Sequence, residues 1–274
     1  MQRLGFGNGD CAAILALNSD RYFEFMYGVP WAGGIFQPIN TRLAGPEVEY
    51  WLNDSEASIL FVDTTFAPLV AQIKDRLAHV KHFVFVDNGE TPDGYIPYVE
   101  LIDAEPVADT GRCNEDIAGL FYTGGTTGRS KGVMLTHTNL VVNALQAVSM
   151  VGVQQSDRIL HVAPMFHIAD AFVCMMASAL CCSNYFQPAF DPLATLKGVQ
   201  DHKIQRMLLV PTMINMVVHQ PTIGDYDLEA LESVWYGASP MPEAVIQQAL
   251  KVMPKVQFYQ VYGQTEAAPA ITAL

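Results

Sequence analysis

The sequence predicts an α/β protein made of two subdomains, each a mostly parallel sheet flanked by helices. Three observations carry that expectation. Short apolar runs alternate with helix-length segments along the chain, the order that builds a parallel sheet covered on both faces. Half of the residues are apolar and only 16% are charged, a composition for packed cores rather than disorder. A length of 274 residues suits one large or two modest domains.

In chain order, residues 11–18 form a short apolar run, followed by a helical segment over 20–31. A strand over 33–39 is closed by Pro38 and Asn40. Gly45, Pro46 and Glu47 open the next helix. Proline suits the first turn, where its missing N–H has no partner to lose, and an acid there complements the helix dipole. Residues 59–62 read as a strand, 66–77 as a helix and 82–86 as a strand. The segment 87–116, rich in Asp, Glu, Pro and Gly, reads as a connecting loop before a strand over 117–121. A helix over 136–150 follows and ends near Gly152. The second series places strands over 158–163, 183–187, 206–210, 233–236 and 256–260. Helices over 169–180, 192–202, 211–219 and 243–252 lie between them. The break at Gly152 and Gln154 divides the chain into subdomains over 1–150 and 151–274. Residues 267–274 read as an apolar segment with no partner to follow.

The composition also excludes. A net charge of −13 disfavours nucleic acid, which needs a basic surface. The five cysteines show no C-x-x-C spacing and read as reduced thiols of a cytoplasmic protein. The most apolar stretch, 171–182, is too short to span a bilayer, and no signal peptide opens the chain. The histidines lack metal-ligand spacing, so no zinc site is expected.

The most informative stretch is Tyr122-Thr-Gly-Gly-Thr-Thr-Gly-Arg-Ser-Lys-Gly-Val133. Gly124, Gly125 and Gly128 let the backbone turn sharply and bring N–H groups close to a ligand. Thr123, Thr126 and Thr127 add hydroxyls, and Arg129 and Lys131 add positive charge. Such a loop, placed between a strand and a helix, is a place to hold phosphate. It is not a Walker loop, because Ser130 precedes Lys131 and Gly132 follows it, and no G-x-G-x-x-G appears.

These residues resemble the phosphate loop of the acyl-adenylate-forming superfamily, which includes acyl-CoA synthetases, peptide-synthetase adenylation domains and luciferases. The family usually reads Tyr-Thr-Ser-Gly-Thr-Thr-Gly-x-Pro-Lys-Gly. This chain carries Gly124 in place of the Ser and Ser130 in place of the Pro. The first change removes a hydroxyl donor while keeping the N–H; the second loosens the turn before Lys131. The Pro38-Ile-Asn-Thr-Arg-Leu43 run resembles the same family and reads as scaffold.

Three further segments resemble family motifs. Tyr262-Gly-Gln-Thr-Glu266 follows the strand over 256–260, and ligands of open parallel sheets sit beyond the carboxyl ends of strands. By resemblance Tyr262 and Gly263 lie against the adenine, Thr265 contacts the α-phosphate and Glu266 holds Mg²⁺. Tyr236-Gly-Ala-Ser-Pro240 is by itself an ordinary Gly/Pro turn. By resemblance the backbone of Gly237, Ala238 and Ser239 lines the adenine and the acyl pocket. Pro164-Met-Phe-His-Ile-Ala-Asp170 ends a strand. A lone histidine in apolar surroundings is more often a core residue, but the resemblance sets Phe166 and His167 between the acyl carboxylate and the thiol tunnel. Asp170 stands where many relatives carry Gly and is expected to face the acyl pocket.

The resemblance implies a reaction. The carboxylate of a small organic acid attacks the α-phosphorus of ATP, giving acyl-adenylate and pyrophosphate, and the thiol of coenzyme A then takes the acyl group. Lys131, His167, Thr265 and Glu266 inherit the catalytic roles, and residues 123–128 hold the outer phosphates. The acyl pocket is expected from parts of 166–175, 209–216 and 235–239, whose Met, Val and Ala suit an aliphatic or aromatic acid. The chain corresponds to about half of a family member, without the opening strand and helix and without the mobile C-terminal domain. It is therefore expected to be a fragment of very low activity. Two alternatives stay open: a non-catalytic nucleotide-binding fragment, and an adenylation domain with another acceptor. A homodimer also stays open.

Overall fold

A computed structural model describes residues 1–124 and 128–274, so Gly125, Thr126 and Thr127 of the expected phosphate loop lie outside the described residues. The chain divides into two compact units, Met1–Thr138 and Asn139–Leu274.

The first unit is built on a seven-stranded sheet. Its strands are β1 (Cys11–Leu15), β2 (Ile35–Pro38), β3 (Ile59–Val62), β4 (His82–Phe85), β5 (Ile96–Pro97), β6 (Ile117–Thr123) and β7 (Lys131–Thr136). They lie in the order β5-β4-β3-β1-β2-β6-β7. All pairings but the last are parallel, and β6 and β7 form an antiparallel hairpin. Every residue of β1 and β3 is buried, as expected for strands covered on both faces. The helices α1 (Asp20–Trp31), α2 (Gly45–Asp54), α3 (Ala67–Ile73) and α4 (Tyr98–Ile102) connect the strands. Ser19 caps α1 by accepting the Tyr22 N–H at 3.1 Å. Glu47 reaches back to accept the Ala44 N–H at 2.9 Å at the start of α2. Val48, Trp51 and Leu52 of that helix are buried in one cluster with Leu15, Leu60 and Val62. Two expectations change here. The segment 87–116 carries β5 and α4, and the expected 66–77 helix ends at Ile73 before a 3₁₀ turn, Lys74–Arg76.

The second unit holds a six-stranded sheet in the order β13-β12-β11-β10-β8-β9. Its strands are β8 (Arg158–His161), β9 (Ser183–Phe186), β10 (Arg206–Leu209), β11 (Ser233–Gly237), β12 (Gln257–Gly263) and β13 (Ala270–Ala273). All pairs are parallel except β12 with β13. Helices α5 (His137–Val151), α6 (Ile168–Ala179), α7 (Pro192–His202), α8 (Pro211–Val218) and α9 (Glu243–Val252) complete it. Arg206 on β10 ties loops to the sheet. It pairs with buried Asp157 and donates to Ser233 Oγ at 3.0 Å and to Glu232 Oε2 at 2.9 Å.

The division falls within the first turn of α5, between Thr138 and Asn139, rather than after that helix. Ala144, Ala147 and Val151 of α5 are buried in one cluster with Val173, Met176 and Trp235, so this helix belongs to the core of the second sheet. Residues 267–274 also gain a partner that the sequence reading denied them, because β12 runs on to Gly263 and pairs with β13.

Candidate active site

In the second unit the strand ends at the carboxyl edge of the sheet surround an apolar cavity of about 280 Å³. Its wall includes His167, Gly237, Ala238, Gly263 and Thr265, which come from three separate segments named by the sequence. Each stands there for a local reason. His167 occupies the N-cap position of α6 with extended backbone, beside the Phe166 ring at 4.4 Å between centroids. Gly237 ends β11 opposite Val261. A Cβ on Gly237 would lie 2.1 Å from the Val261 carbonyl oxygen, so no other residue fits this strand end. Ala238 follows with φ +67°, a left-handed conformation unusual for alanine. Gly263 meets a similar limit, with a Cβ falling 2.1 Å from the Pro269 carbonyl oxygen at the irregular step between β12 and β13. Thr265 opens a 3₁₀ turn, Thr265–Ala267, directly after β12.

Other named residues do not reach this cavity. Val261 and Gly263 line it, and strand alternation turns Tyr262 to the opposite face, 61% exposed. Ser239 and Glu266 are exposed beside the wall segments and do not line it. Phe166 is buried behind His167. Of the expected stretch 209–216 only Val210 contributes. The sequence reading omitted the wall supplied by Ala147, Met150 and Val151 of α5 and by Ala270 and Ala273 around β13. The signal was available: these small and apolar positions repeat at helical spacing in α5.

Asp170 requires a correction. It does not face the cavity; it is 1% exposed, and its Oδ2 lies 3.1 Å from His161 Nδ1. On α6, Ala169, Phe172, Val173 and Met176 face the cavity, whereas Asp170 and Cys174, four residues apart, share another face. Burial alone would discharge His161. The neighbouring Cys174 and Asp170 more than offset that effect and hold its pKa well above the usual histidine range. Burial raises the Cys174 thiol.

Asn143 on α5 is a positioning residue absent from the sequence reading. It donates to the carbonyls of Ala267 at 3.2 Å and Ala270 at 2.8 Å, and accepts the Ala270 N–H at 3.0 Å. These bonds fix the turn that carries Thr265 and Glu266 against the start of β13. Glu266 is exposed, and no ion pair forms at it among the described residues.

In the first unit the expected phosphate loop joins two antiparallel strands, not a strand and a helix. Thr123 ends β6 directly opposite Lys131, the first residue of β7. Gly124 and Gly128 leave open space where a Cβ would stand, and Arg129 and Lys131 are exposed. The hairpin is anchored to α2. Tyr122 stacks on Trp51 with centroids 4.7 Å apart and donates its hydroxyl to Asp54 Oδ2 at 2.6 Å. Burial, then that bond to Asp54, pushes the Tyr122 pKa far above the phenol range. Tyr50 donates to the Ser130 carbonyl at 3.1 Å, and the Arg129 guanidinium lies 5.2 Å from the Tyr50 ring centroid.

Two sheets of α/β type, one with an apolar cavity at its carboxyl edge and the other with a Gly/Thr hairpin bearing exposed cations, define a nucleotide- and small-molecule-binding class. The comparisons make the assignment specific: the profile of the AMP-binding enzyme family matches residues 1–274, and the chain belongs to that family. It is 33% identical over 276 residues to a feruloyl-CoA synthase of Amycolatopsis sp, covering 100% of this chain and 53% of that protein. It is 32% identical to a long-chain-fatty-acid–CoA ligase of Thermus thermophilus, covering 99% and 50%. Among solved structures, the N-terminal domain of FACL13 from Mycobacterium tuberculosis has a TM-score of 0.87 at 27% identity, covering 97% of this chain and 66% of that one. The anthranilate CoA ligase AuaEII in complex with anthranoyl-AMP has a TM-score of 0.91 at 25% identity, covering 99% and 52%. The chain spans about half the length of the curated relatives it matches. Among the described residues no helix is long and apolar enough to cross a membrane.

Proposed function

We propose that this chain is the nucleotide- and acid-binding portion of an AMP-forming acid–thiol ligase, which joins a carboxylic acid to coenzyme A through an acyl-adenylate. One observation carries the reading: His167, Gly237, Ala238, Gly263 and Thr265, distant in sequence, meet around a single apolar cavity. Among the described lining residues the polar side chains are His167, Gln264, Thr265 and the Trp235 indole, and none is Lys or Arg. A second carboxylate would have no counter-charge there. The substrate is therefore a monocarboxylic acid with an apolar aliphatic or aromatic body.

The residues act by binding and orientation more than by proton transfer. The apolar wall excludes water from the acyl group. His167, at the mouth of α6, orients the carboxylate, and Thr265 donates to the phosphate that is attacked. Thr123, Gly124 and Gly128, together with Gly125, Thr126 and Thr127 outside the described residues, bind the outer phosphates with Lys131. Tyr262 and the 237–239 backbone take the adenine, which uses the exposed aromatic face of Tyr262. The exposed Glu266 carboxylate, without an ion pair among the described residues, would hold Mg²⁺, which would offset the charge of the departing pyrophosphate. The free cysteines suit a reducing, cytosolic setting.

Calorimetric titration of the chain with AMP, and with a non-hydrolysable sulfamate analogue of dodecanoyl-adenylate or feruloyl-adenylate, tests the assignment. At least one analogue is expected to bind more than about tenfold tighter than AMP, since a few buried methylenes at ~0.8 kcal/mol each exceed the ~1.4 kcal/mol this requires. Analogues that bind no tighter than AMP would leave a nucleotide-binding fragment and end the ligase reading. Lys131→Ala is expected to weaken Mg·ATP without weakening the acyl contribution.

A further inference from the structure

Behind the cavity, on the far face of α6, lies a sealed polar cluster that the proposed reaction does not use. His161 on β8 and Asp170 and Cys174 on α6 are all buried, at 0%, 1% and 0% exposure. His161 Nδ1 lies 3.1 Å from Asp170 Oδ2 and 3.5 Å from Cys174 Sγ, and the three donor atoms lie within 4.8 Å of one another. The other ring nitrogen is committed. Asn184 donates its Nδ2 to the Cys182 carbonyl at 3.3 Å, so its Oδ1, 2.8 Å from His161 Nε2, accepts from that nitrogen. Nδ1 therefore faces a carboxylate oxygen and a sulfur, and a positive charge is needed among the three.

A proton on Nδ1 meets that need only in part. It serves Asp170 Oδ2, while the other carboxylate oxygen, Oδ1, is buried with no hydrogen-bond partner among the described residues. An unmet buried carboxylate oxygen is expensive. A cation bound by the carboxylate, the imidazole and the thiolate sets a positive charge directly against that carboxylate. From the edges of 3.1 Å, 3.5 Å and at most 4.8 Å, a point about 2.0–2.4 Å from all three donors exists without moving any of them, the range of Zn–N, Zn–O and Zn–S bonds. Thiolate plus carboxylate also neutralise a divalent ion, so no net charge is buried. The Nε2–H bond to Asn184 is the outer contact by which a ligating imidazole is usually oriented.

We propose that His161 Nδ1, the Asp170 carboxylate and Cys174 Sγ form a structural site for a divalent cation of the zinc class, clamping α6 to β8. Binding displaces the Nδ1 proton of the imidazolium and deprotonates the thiol, so two protons go to solvent while the Nε2 proton stays in place. Because the site is sealed, the ion is taken up as the unit folds and resists chelators until it unfolds. The proposal is independent of the ligase reading, since its readout is metal content.

The test uses the whole chain. It is refolded with Zn²⁺ or with Co²⁺, passed over a chelating resin, then unfolded in guanidinium with a chromogenic chelator. About one equivalent of metal is expected to appear only on unfolding. The Co²⁺ form is expected to show a thiolate-to-cobalt charge-transfer band. Cys174→Ser and His161→Gln should lower retention by about tenfold or more, whereas Cys113→Ser should not. If those variants do not fold, the wild-type cobalt spectrum decides alone. Retention below about a tenth of an equivalent with no charge-transfer band, or full retention in a folded Cys174→Ser protein, overturns the proposal.

Discussion

Replacing Asn143 by leucine tests whether the turn carrying Thr265 and Glu266 is held from α5. The two side chains are nearly equal in size, so the change removes hydrogen bonding without opening a cavity. Three bonds are lost: those to the carbonyls of Ala267 (3.2 Å) and Ala270 (2.8 Å), and the one accepted from the Ala270 N–H (3.0 Å). Asn143 is 8% exposed, so water does not readily replace it. At a net 0.5–1.5 kcal/mol per bond the loss is about 1.5–4.5 kcal/mol, reduced by roughly 1 kcal/mol for a buried leucine in place of an amide. The central expectation is ~2 kcal/mol, or about thirtyfold in a local opening equilibrium. Amide hydrogen exchange reads it at the Ala270 N–H, which loses its acceptor, and at Gln264, whose N–H donates to the Pro269 carbonyl at 3.0 Å. Both should exchange tens of times faster. The Val234 and Trp235 amides, within β11 and away from the turn, should change far less. Unchanged exchange at Ala270 and Gln264 in a folded Asn143→Leu protein would refute the idea that α5 fixes this turn.

Further predictions rest on other contacts. Gly237→Ala forces a Cβ to 2.1 Å from the Val261 carbonyl oxygen and should cost more than ~2 kcal/mol in denaturant unfolding. Gly224→Ala, with nothing within 4 Å of the new Cβ, should stay within about 0.5 kcal/mol. Arg206→Met strands the Asp157 carboxylate, both partners being only 5% exposed, and should cost about 3–5 kcal/mol; Arg206→Met with Asp157→Asn should recover much of that, because no bare charge remains. Native thiol titration at pH 8 should find Cys113 and Cys181, which are exposed, reacting first. Cys11, whose thiol burial pushes up to about 12, and buried Cys174 should react only on unfolding. The sign follows from the direction: a raised thiol pKa means less thiolate at any working pH, so rapid labelling of Cys11 in folded protein would contradict its placement.

The alternation of strands and helices was legible because each element has its own periodicity and punctuation. Helices such as α1, α7 and α9 begin where Ser19, Asp191 with Pro192, and Pro242 signal them. The hairpin was not legible. Its second strand begins Lys131-Gly132, so a reading by propensity passes from the loop straight to the helix after it. The period-two signal exists in Leu135, 3% exposed, beside Met134, 66% exposed, but two residues of alternation rarely outweigh a glycine and a lysine. The same limit hid the pairing of β12 with β13, which depends on a register that only the turn between them sets. Asp170 shows a different limit. A motif names neighbours in sequence, whereas the face of a helix is set by phase: one step of about 100° separates Ala169 in the cavity wall from Asp170 against His161.

The hairpin changes the electrostatics expected of the phosphate loop. At a helix N-terminus the aligned peptide dipoles supply roughly half a positive charge, and cationic side chains add to it. Between two antiparallel strands that contribution is absent, since strand dipoles largely cancel. On the proposed reading, the cationic attraction for a triphosphate then falls on Arg129 and Lys131, in a chain whose net charge is −13. Arg129 stands over the Tyr50 ring, and Tyr50 also holds the Ser130 carbonyl. Among the described residues Lys131 has no carboxylate partner. The anchoring by Tyr50, Trp51 and Asp54 therefore bears on function, because a hairpin free to slip would move the cation by whole residues. The hydrogen bond from Tyr50 to the Ser130 carbonyl and the contacts of Tyr122 with Trp51 and Asp54 hold both strands of the hairpin to α2.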